Sequence, residues 1–132
     1  MNALRQYVDH FIVGQVEKGK QLGRTIGFPT ANLNIANNVS LENGVYGVYV
    51  YYQSKKYLGI MNVGNRPSFN DGNHQTIEVH IIDFNEDIYD EILTVEIMFY
   101  IRKEKKFNQL QDLISQLKAD KFYARKQFHL LK

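Results

Sequence analysis

Gly44-Val45-Tyr46-Gly47-Val48-Tyr49-Val50-Tyr51-Tyr52 is the stretch on which the reading of the fold turns. Its β-branched and aromatic side chains suit a pleated, half-buried surface, which makes it the clearest strand in the chain. Gln53-Ser54-Lys55 then reads as a short hairpin connection, with Lys56 to Val63 returning antiparallel. Outward from this pair, Phe11 to Glu17 reads as a first strand, with Phe11 and Val13 on one face and Ile12 and Val16 on the other. Thr76 to Ile82 alternates Ile77, Val79 and Ile81 against Thr76, Glu78 and His80. Ile92 to Arg102 alternates Leu93, Val95, Ile97, Phe99 and Ile101 against Thr94, Glu96, Met98, Tyr100 and Arg102. A period of two is the mark of a strand with one buried face. Gly64 to Asn73, with its Gly, Pro, Asn and Asp, predicts a long loop, and Asp83 to Glu91 an acidic turn region.

A helix follows the strands. Asn108 with Gln111 three residues later is an Asn variant of a capping box, and Leu110, Leu113, Ile114 and Leu117 form a stripe at helical spacing that reads as core packing. Ala119-Asp120 reads as an interruption, with a second helical portion running to about Gln127. Strands at close spacing and then a helix predict one mainly β domain, an antiparallel barrel or sandwich with the helix packed across it. Residues 1–10 read as a lead-in or linker and 11–132 as the domain.

Composition narrows the classes. A chain of 132 residues holds one domain with a real core. It has no cysteine, so neither disulfides nor thiolate chemistry are open to it; with no signal-like N-terminus, this favours a cytoplasmic protein. No apolar run approaches the ~18 residues of a membrane span. A net charge of +2 does not by itself imply nucleic acid. Nine Tyr and eight Phe with no Trp supply rings for a core and equally for stacking on flat ligands.

The chemistry concentrates in Gly23-Arg24-Thr25-Ile26-Gly27-Phe28-Pro29-Thr30-Ala31-Asn32. Gly14-x4-Gly19-Lys20 upstream is a near miss of a P-loop, but Gln21 stands where Ser or Thr must bind Mg²⁺, and Gly23, Gly27 and Pro29 forbid the helix that should follow. A glycine-rich flap over phosphates remains sensible, because bare backbone N–H groups bind anions and Lys18, Lys20 and Arg24 add charge. Pro29 stiffens the exit from this loop, and in an extended segment Thr30 and Asn32 point the same way. A hydroxyl and an amide oxygen there are hard ligands that Mg²⁺ accepts when phosphates supply the rest; the plainer alternative is a turn leading into a strand. Glu78 is either a solvated strand residue or a partly buried base. His74, Glu78 and His80 share one parity, which raises a transition-metal site; against it, His74 falls at the loop edge, where the strand pleat ends, and parity alone is a weak argument. Arg102-Lys103-Glu104-Lys105-Lys106 is a solvated corner, or one edge of a single-strand nucleic-acid barrel with Tyr46, Tyr49, Tyr51 and Tyr52 as stacking rings. Glu42, Glu78, Asp83, Glu86, Asp87, Asp90, Glu91 and Glu96 argue against the second by charge.

The run Gly14-x4-Gly19-x3-Gly23-Arg24-x2-Gly27-Phe28-Pro29-Thr30-Ala31-Asn32 resembles the signature of riboflavin kinases, including the kinase module of bacterial bifunctional FAD synthetases. The likeness continues through Gly44-Val45-Tyr46, Asn62-Val63-Gly64-x-Arg66-Pro67, Thr76-Ile77-Glu78-Val79-His80 and the Arg102 to Phe107 turn, and spans roughly residues 11–127. It implies a Greek-key type barrel of about six strands with the helix across it, and the reaction ATP + riboflavin → ADP + FMN with Mg²⁺. It implies Glu78 as the catalytic base, with His80 matching the family's neighbouring His, and Thr30 and Asn32 at the metal. Gly19, Lys20, Gly23, Arg24, Gly27, Phe28, Pro29, Thr30 and Asn32 would bind ATP, and Asn62, Arg66, Phe69 and Arg102 riboflavin. Riboflavin, FMN, ATP and ADP are then the partners, with neither nucleic acid nor membrane. The family often has Gly after the Tyr of the acidic turn, where this chain has Asp90 after Tyr89. In the bifunctional enzymes a segment like 1–10 joins the kinase to an FMN adenylyltransferase module; no His-x-Gly-His motif occurs here, so the chain reads as a free-standing kinase or an excised module. The alternatives are a flavin carrier without catalysis and the nucleic-acid barrel.

Overall fold

The computed structural model describes residues 10–17, 27–36, 39–68 and 72–131, with backbone alone at 66–68 and 72–74. Six strands, β1 (Phe11–Glu17), β2 (Ala31–Asn34), β3 (Gly44–Tyr52), β4 (Lys55–Ser68), β5 (Gly72–Ile81) and β6 (Ile92–Arg102), precede one described helix, α1 (Leu110–Leu130). The strands close into a barrel in the order β1-β2-β5-β4-β3-β6, every neighbouring pair antiparallel. Strands β3, β4 and β5 form a meander, and β2 returns beside β5 after a long connection, which is the Greek key. Gln75 clamps that connection, its side chain accepting from Val39 N at 2.7 Å and donating to Val39 O at 3.2 Å.

Alternation fills the barrel. Ile12 and Val16, Leu33, Val48 and Val50, Met61 and Val63, Ile77 and Val79, and Leu93, Val95 and Ile97 all point inward and are buried. Phe11 and Val13, on the other face of β1, are exposed. A second apolar layer lies outside, where Ala124 and Phe128 of α1 cover Val45, Ile60 and Ile82, with Tyr49, Leu58, Met98, Phe99 and Ile101 packed around them. Phe128 is wedged between the rings of Phe99 (4.9 Å) and Tyr49 (5.2 Å).

Five expectations are corrected. Gly64 to Asn73 is largely sheet, because β4 and β5 pair out to Ser68 and Gly72. The β3–β4 hairpin has a two-residue loop, Gln53 (φ 50) and Ser54 (φ 67), with Lys55 already paired to Tyr52. Positive φ at both positions matches the strand twist even without the usual Gly. Strand β6 does not alternate throughout: register shifts against β3 pair Gly47 with Phe99 after Val48 with Ile97, and Val45 with Arg102 after Tyr46 with Tyr100. The first shift turns Phe99 out towards the helix, and the second restores an outward Arg102. Helix α1 runs unbroken through Ala119-Asp120, and its N-cap is Gln109, with no side-chain capping bond, so the Asn108 box does not form.

The close approach of Phe99 to Gly47 is the packing contact most sensitive to mutation, since a Cβ on Gly47 would overlap the Phe99 Cε1 and Cζ atoms. Gly47→Ala should displace Phe99 and, through it, Phe128. We expect a loss of about 1–3 kcal/mol, typical of overpacking, read as a lower urea midpoint. An unchanged midpoint would mean that the ring moves away freely.

Candidate functional site

The same alternation that buries Ile77 and Val79 turns Glu78 and His80 outward. Sheet closure then sets partners beside them. Asn32 of β2 and Asn62 of β4 flank Glu78 on either side, and the row continues from Asn62 to Val45 and from Val45 to Arg102. Residues 32, 62, 78 and 102, far apart in the chain, therefore share one band of the outer face. Thr30, just before β2, donates to Glu78 Oε1 at 3.4 Å, a loose contact with room to tighten around a ligand.

His80 ties down the segment that carries Thr30. Its Nδ1 lies 2.8 Å from the carbonyl oxygen of Pro29, and its ring lies 5.5 Å from that of Phe28. Two acceptors cannot share that distance, so Nδ1 carries the proton and Nε2 is the bare lone pair. Nε2 is buried with no partner among the described residues. Burial lowers the His80 pKa first of all; the Pro29 carbonyl opposes this, Lys121 adds to it and Asp83 opposes it. The ring is neutral at physiological pH.

Two cavities flank Thr30. The larger, about 660 Å³, lies between the start of β2 and the 84–89 turn, with Val16, Glu17, Pro29, Ala31, Glu86, Asp87 and Tyr89 in its walls. The smaller, about 240 Å³, lies between the sheet and α1, lined by Phe28, Asn62, Glu78, His80, Phe107, Leu113 and Leu117, with Arg102, Glu104 and Lys105 at its rim. Thr30 lines both. Leu113 and Leu117 are thus cavity walls rather than core, and Leu110 is 53 % exposed, which corrects the reading of the helical stripe as core packing. The contact that holds α1 here is Arg102 to Asp120. Nε and Nη2 donate to the two carboxylate oxygens at 2.9 and 2.8 Å, Gln116 Nε2 donates to the same carboxylate at 2.9 Å, and Nη1 donates to Lys103 O. Asp120 is 2 % exposed.

Of the residues expected to bind ATP, Gly19, Lys20, Gly23 and Arg24 lie outside the described residues, as does Phe69 among those expected for riboflavin. Gly27 has φ 87, a left-handed conformation that Gly adopts without strain. Pro29 and Thr30 border the larger cavity, whereas Phe28 is buried against the smaller. Asn62 faces the smaller cavity; Arg102 lines it with its guanidinium committed to Asp120; Arg66 is described by its backbone in β4. Among the described residues no group of three His, Cys, Asp or Glu is arranged to hold a metal. Two features escaped the sequence reading. Asp120 sits in a Leu113, Leu117, Asp120, Ala124, Phe128 spacing, and a lone acid on an apolar stripe was the available signal. The 84–89 turn gave none as a cavity wall. Its closing residue Asp90 has φ 73, donates its N–H to Val16 O at 2.8 Å and accepts from Gln15 Nε2 at 2.9 Å.

A family model described as Flavokinase, riboflavin kinase, matches residues 7–128. The RNA-binding riboflavin kinase RibR of Bacillus subtilis is 43% identical over 120 residues, covering 91% of this chain and 52% of its own length. The bifunctional riboflavin kinase/FMN adenylyltransferase of Haemophilus influenzae is 44% identical over 110 residues, covering 83% of this chain and 35% of its own length. The chain thus spans about half the length, or less, of the curated relatives it matches. The crystal structure of riboflavin kinase from Trypanosoma brucei superposes with a TM-score of 0.64 at 24% identity, over 90% of this chain and 79% of that one, a likeness of fold.

Two measurements probe this site. Asp120→Ala leaves Arg102 without its carboxylate; breaking such a pair costs about 3–5 kcal/mol when both partners are buried, and since the Arg102 side chain keeps 19% exposure we expect about 3 kcal/mol by urea unfolding. A cost below about 1 kcal/mol would mean that α1 docks through its apolar contacts alone. His80, whose pKa is lowered on folding, stabilises the fold fully above the ordinary imidazole value of about 6.5, and this contribution is lost as pH falls through the folded value. The stability difference between the wild type and His80→Asn should shrink on acidification below pH ~6.5. A difference that is flat with pH would contradict the buried neutral ring.

Proposed function

Because this chain belongs to the riboflavin kinase family, we propose that it transfers the γ-phosphoryl group of ATP to the 5′-hydroxyl of riboflavin, giving FMN and ADP. The observation that carries this reading is Thr30, which touches Glu78 and borders two cavities, so that two substrates can meet at one carboxylate. The larger cavity suits the nucleotide, beside the start of the flap. The smaller has Phe107, Leu113 and Leu117 to pack a flat ring, and Asn62 and Glu78 at its polar side.

Phosphoryl transfer asks mainly for positioning and charge neutralisation. In this reading the ribityl hydroxyl comes from the smaller cavity to within reach of Glu78, which accepts its proton as the oxygen bonds to phosphorus and ADP leaves. Asn32 and Asn62, on either side of Glu78, orient that carboxylate and the hydroxyl. The Thr30 hydroxyl and the Asn32 amide oxygen form a hard-oxygen donor set beside a carboxylate, which fits Mg²⁺ with its remaining ligands from phosphate. When bound, Mg²⁺ would neutralise charge on the phosphate oxygens. The proposed partners are riboflavin, FMN, ATP and ADP; the carboxylates of Glu17, Glu78, Glu86 and Asp87 on the cavity walls weigh against nucleic acid. An FMN adenylyltransferase module, as named in the bifunctional relative, is a further proposed partner. A chain without cysteine that consumes ATP fits the cytoplasm.

The test is to incubate the purified chain with riboflavin and MgATP and resolve FMN and ADP by chromatography. Glu78→Gln, nearly isosteric, should keep riboflavin binding and lose about 10²- to 10⁴-fold in rate. Thr30→Val should lose on the order of 10²-fold, with productive MgATP binding weakened more than riboflavin binding. A Glu78→Gln protein that makes FMN at the wild-type rate would leave Glu78 a solvated strand residue.

A further inference from the structure

Thr30 lies outside the regular ladder. Strand β2 is four residues long, its pairing with β5 begins at Ala31 opposite Val79, and its pairing with β1 covers Asn32 to Asn34. Carried one step further, the register sets Thr30 opposite His80, one position beyond the last register pair. At this end of the strand a side chain grips the backbone, through the bond between His80 Nδ1 and the Pro29 carbonyl at 2.8 Å. Pro29 has a fixed φ, and its carbonyl, which His80 holds, is one of the two polar groups of the Pro29–Thr30 peptide. The direction of that peptide plane sets the direction of the Thr30 side chain.

We propose that His80 is a positioning residue for phosphoryl transfer: its Nδ1–H holds the Pro29 carbonyl and thereby aims the Thr30 hydroxyl at Glu78 and at the boundary of the two cavities. His80 is not a reserve base. Its Nδ1 is occupied by the carbonyl, and its Nε2 is buried with no partner among the described residues. The Phe28 ring packs beside the imidazole, 5.5 Å away and tilted by 54°. Lys121 lies 5.9 Å from the other partner of that contact, the Phe28 ring, which links the same device to α1. This inference rests on the kinase reading above, so its test has one arm that does not need turnover.

Three variants separate the role of Nδ1 from bulk and polarity. The amide nitrogen of Asn falls where Nδ1 lies, that of Gln falls nearer Nε2, and Ala has neither. In FMN formation, His80→Ala should lower kcat by about 10- to 10²-fold and raise the KM for MgATP, as expected of a displaced ligand group, with riboflavin affinity by flavin fluorescence within about twofold of wild type. His80→Asn should recover most of the loss and His80→Gln should not. Equal rescue by both amides, or none by Asn, overturns the proposal, as does a wild-type kcat in the Ala variant. If the Ala variant fails to fold, the Asn and Gln pair still decides. In the arm without turnover, ¹⁵N NMR of the imidazole should show Nδ1 protonated, and amide exchange over residues 30–32 should quicken about tenfold in His80→Gln but not in His80→Asn. A wild type that makes no FMN yet passes this arm removes the kinase reading and leaves the strap in place; an Nε2–H tautomer removes the strap whatever the activity.

Discussion

Closure of the barrel through β2 is the constraint on which the site depends. Four residues, Ala31 to Asn34, join β1 on one side to β5 on the other, each through three register pairs. Without them the sheet would end in two open edges, β1 and β5, each presenting unpaired N–H and C=O groups. With them Asn32 sits beside Glu78, and the residues just before β2 are carried to the mouth of both cavities. Only Leu33 of this strand is deeply buried, so β2 contributes little apolar area and is held by its ladders and by what grips its ends. A short strand held this way places Asn32 beside Glu78 while adding little to the core.

Helix α1 solves a second problem, which is to cover one outer face of the barrel without filling the cavity beside it. Its C-terminal half does the covering, with Ala124 and Phe128 against the sheet, and its N-terminal half stands off as a wall. The Arg102–Asp120 fork lies at the junction of the two halves. Burying a carboxylate there is costly unless both oxygens are satisfied, and Arg102 and Gln116 between them satisfy both. Apolar residues would stabilise the same docking, but they give no directional constraint, whereas a bidentate pair fixes the angle at which the helix leaves the sheet. Arg125 to Asp83, at 3.1 Å to both oxygens, adds an exposed contact further along the helix, worth less because it is in water.

Charge is distributed so that the two cavities differ. The larger carries Glu17, Glu86 and Asp87 on its walls, while the smaller combines Glu78 and Glu104 with Arg102 and Lys105. A phosphate chain in the larger one, as proposed, would need compensation from cations, from backbone N–H groups or from a divalent ion. His80, neutral and bonded to backbone, adds no charge to this face of β5.

The strand pattern, the chain's single-domain scale and the outward placement of Glu78 were legible in the sequence, because alternation depends on nearest neighbours along the chain. That Thr30, Asn32 and Glu78 share one site was implied by the family resemblance alone. The turns of Phe99 and Ile101 towards the helix were not legible, because a register shift depends on what the partner strand offers, here Gly47 and its bare backbone. Nor was the continuity of α1 through Asp120, where an acid that reads as an interruption becomes an anchor once Arg102 faces it. The sequence by itself determined which residues alternate and which chemical groups the chain carries to the site. Only the tertiary structure decided that Thr30 stands between two cavities and that His80 holds Pro29, because those relations arise from the closure of β2 onto β5, across 48 positions of chain in the case of Thr30 and Glu78.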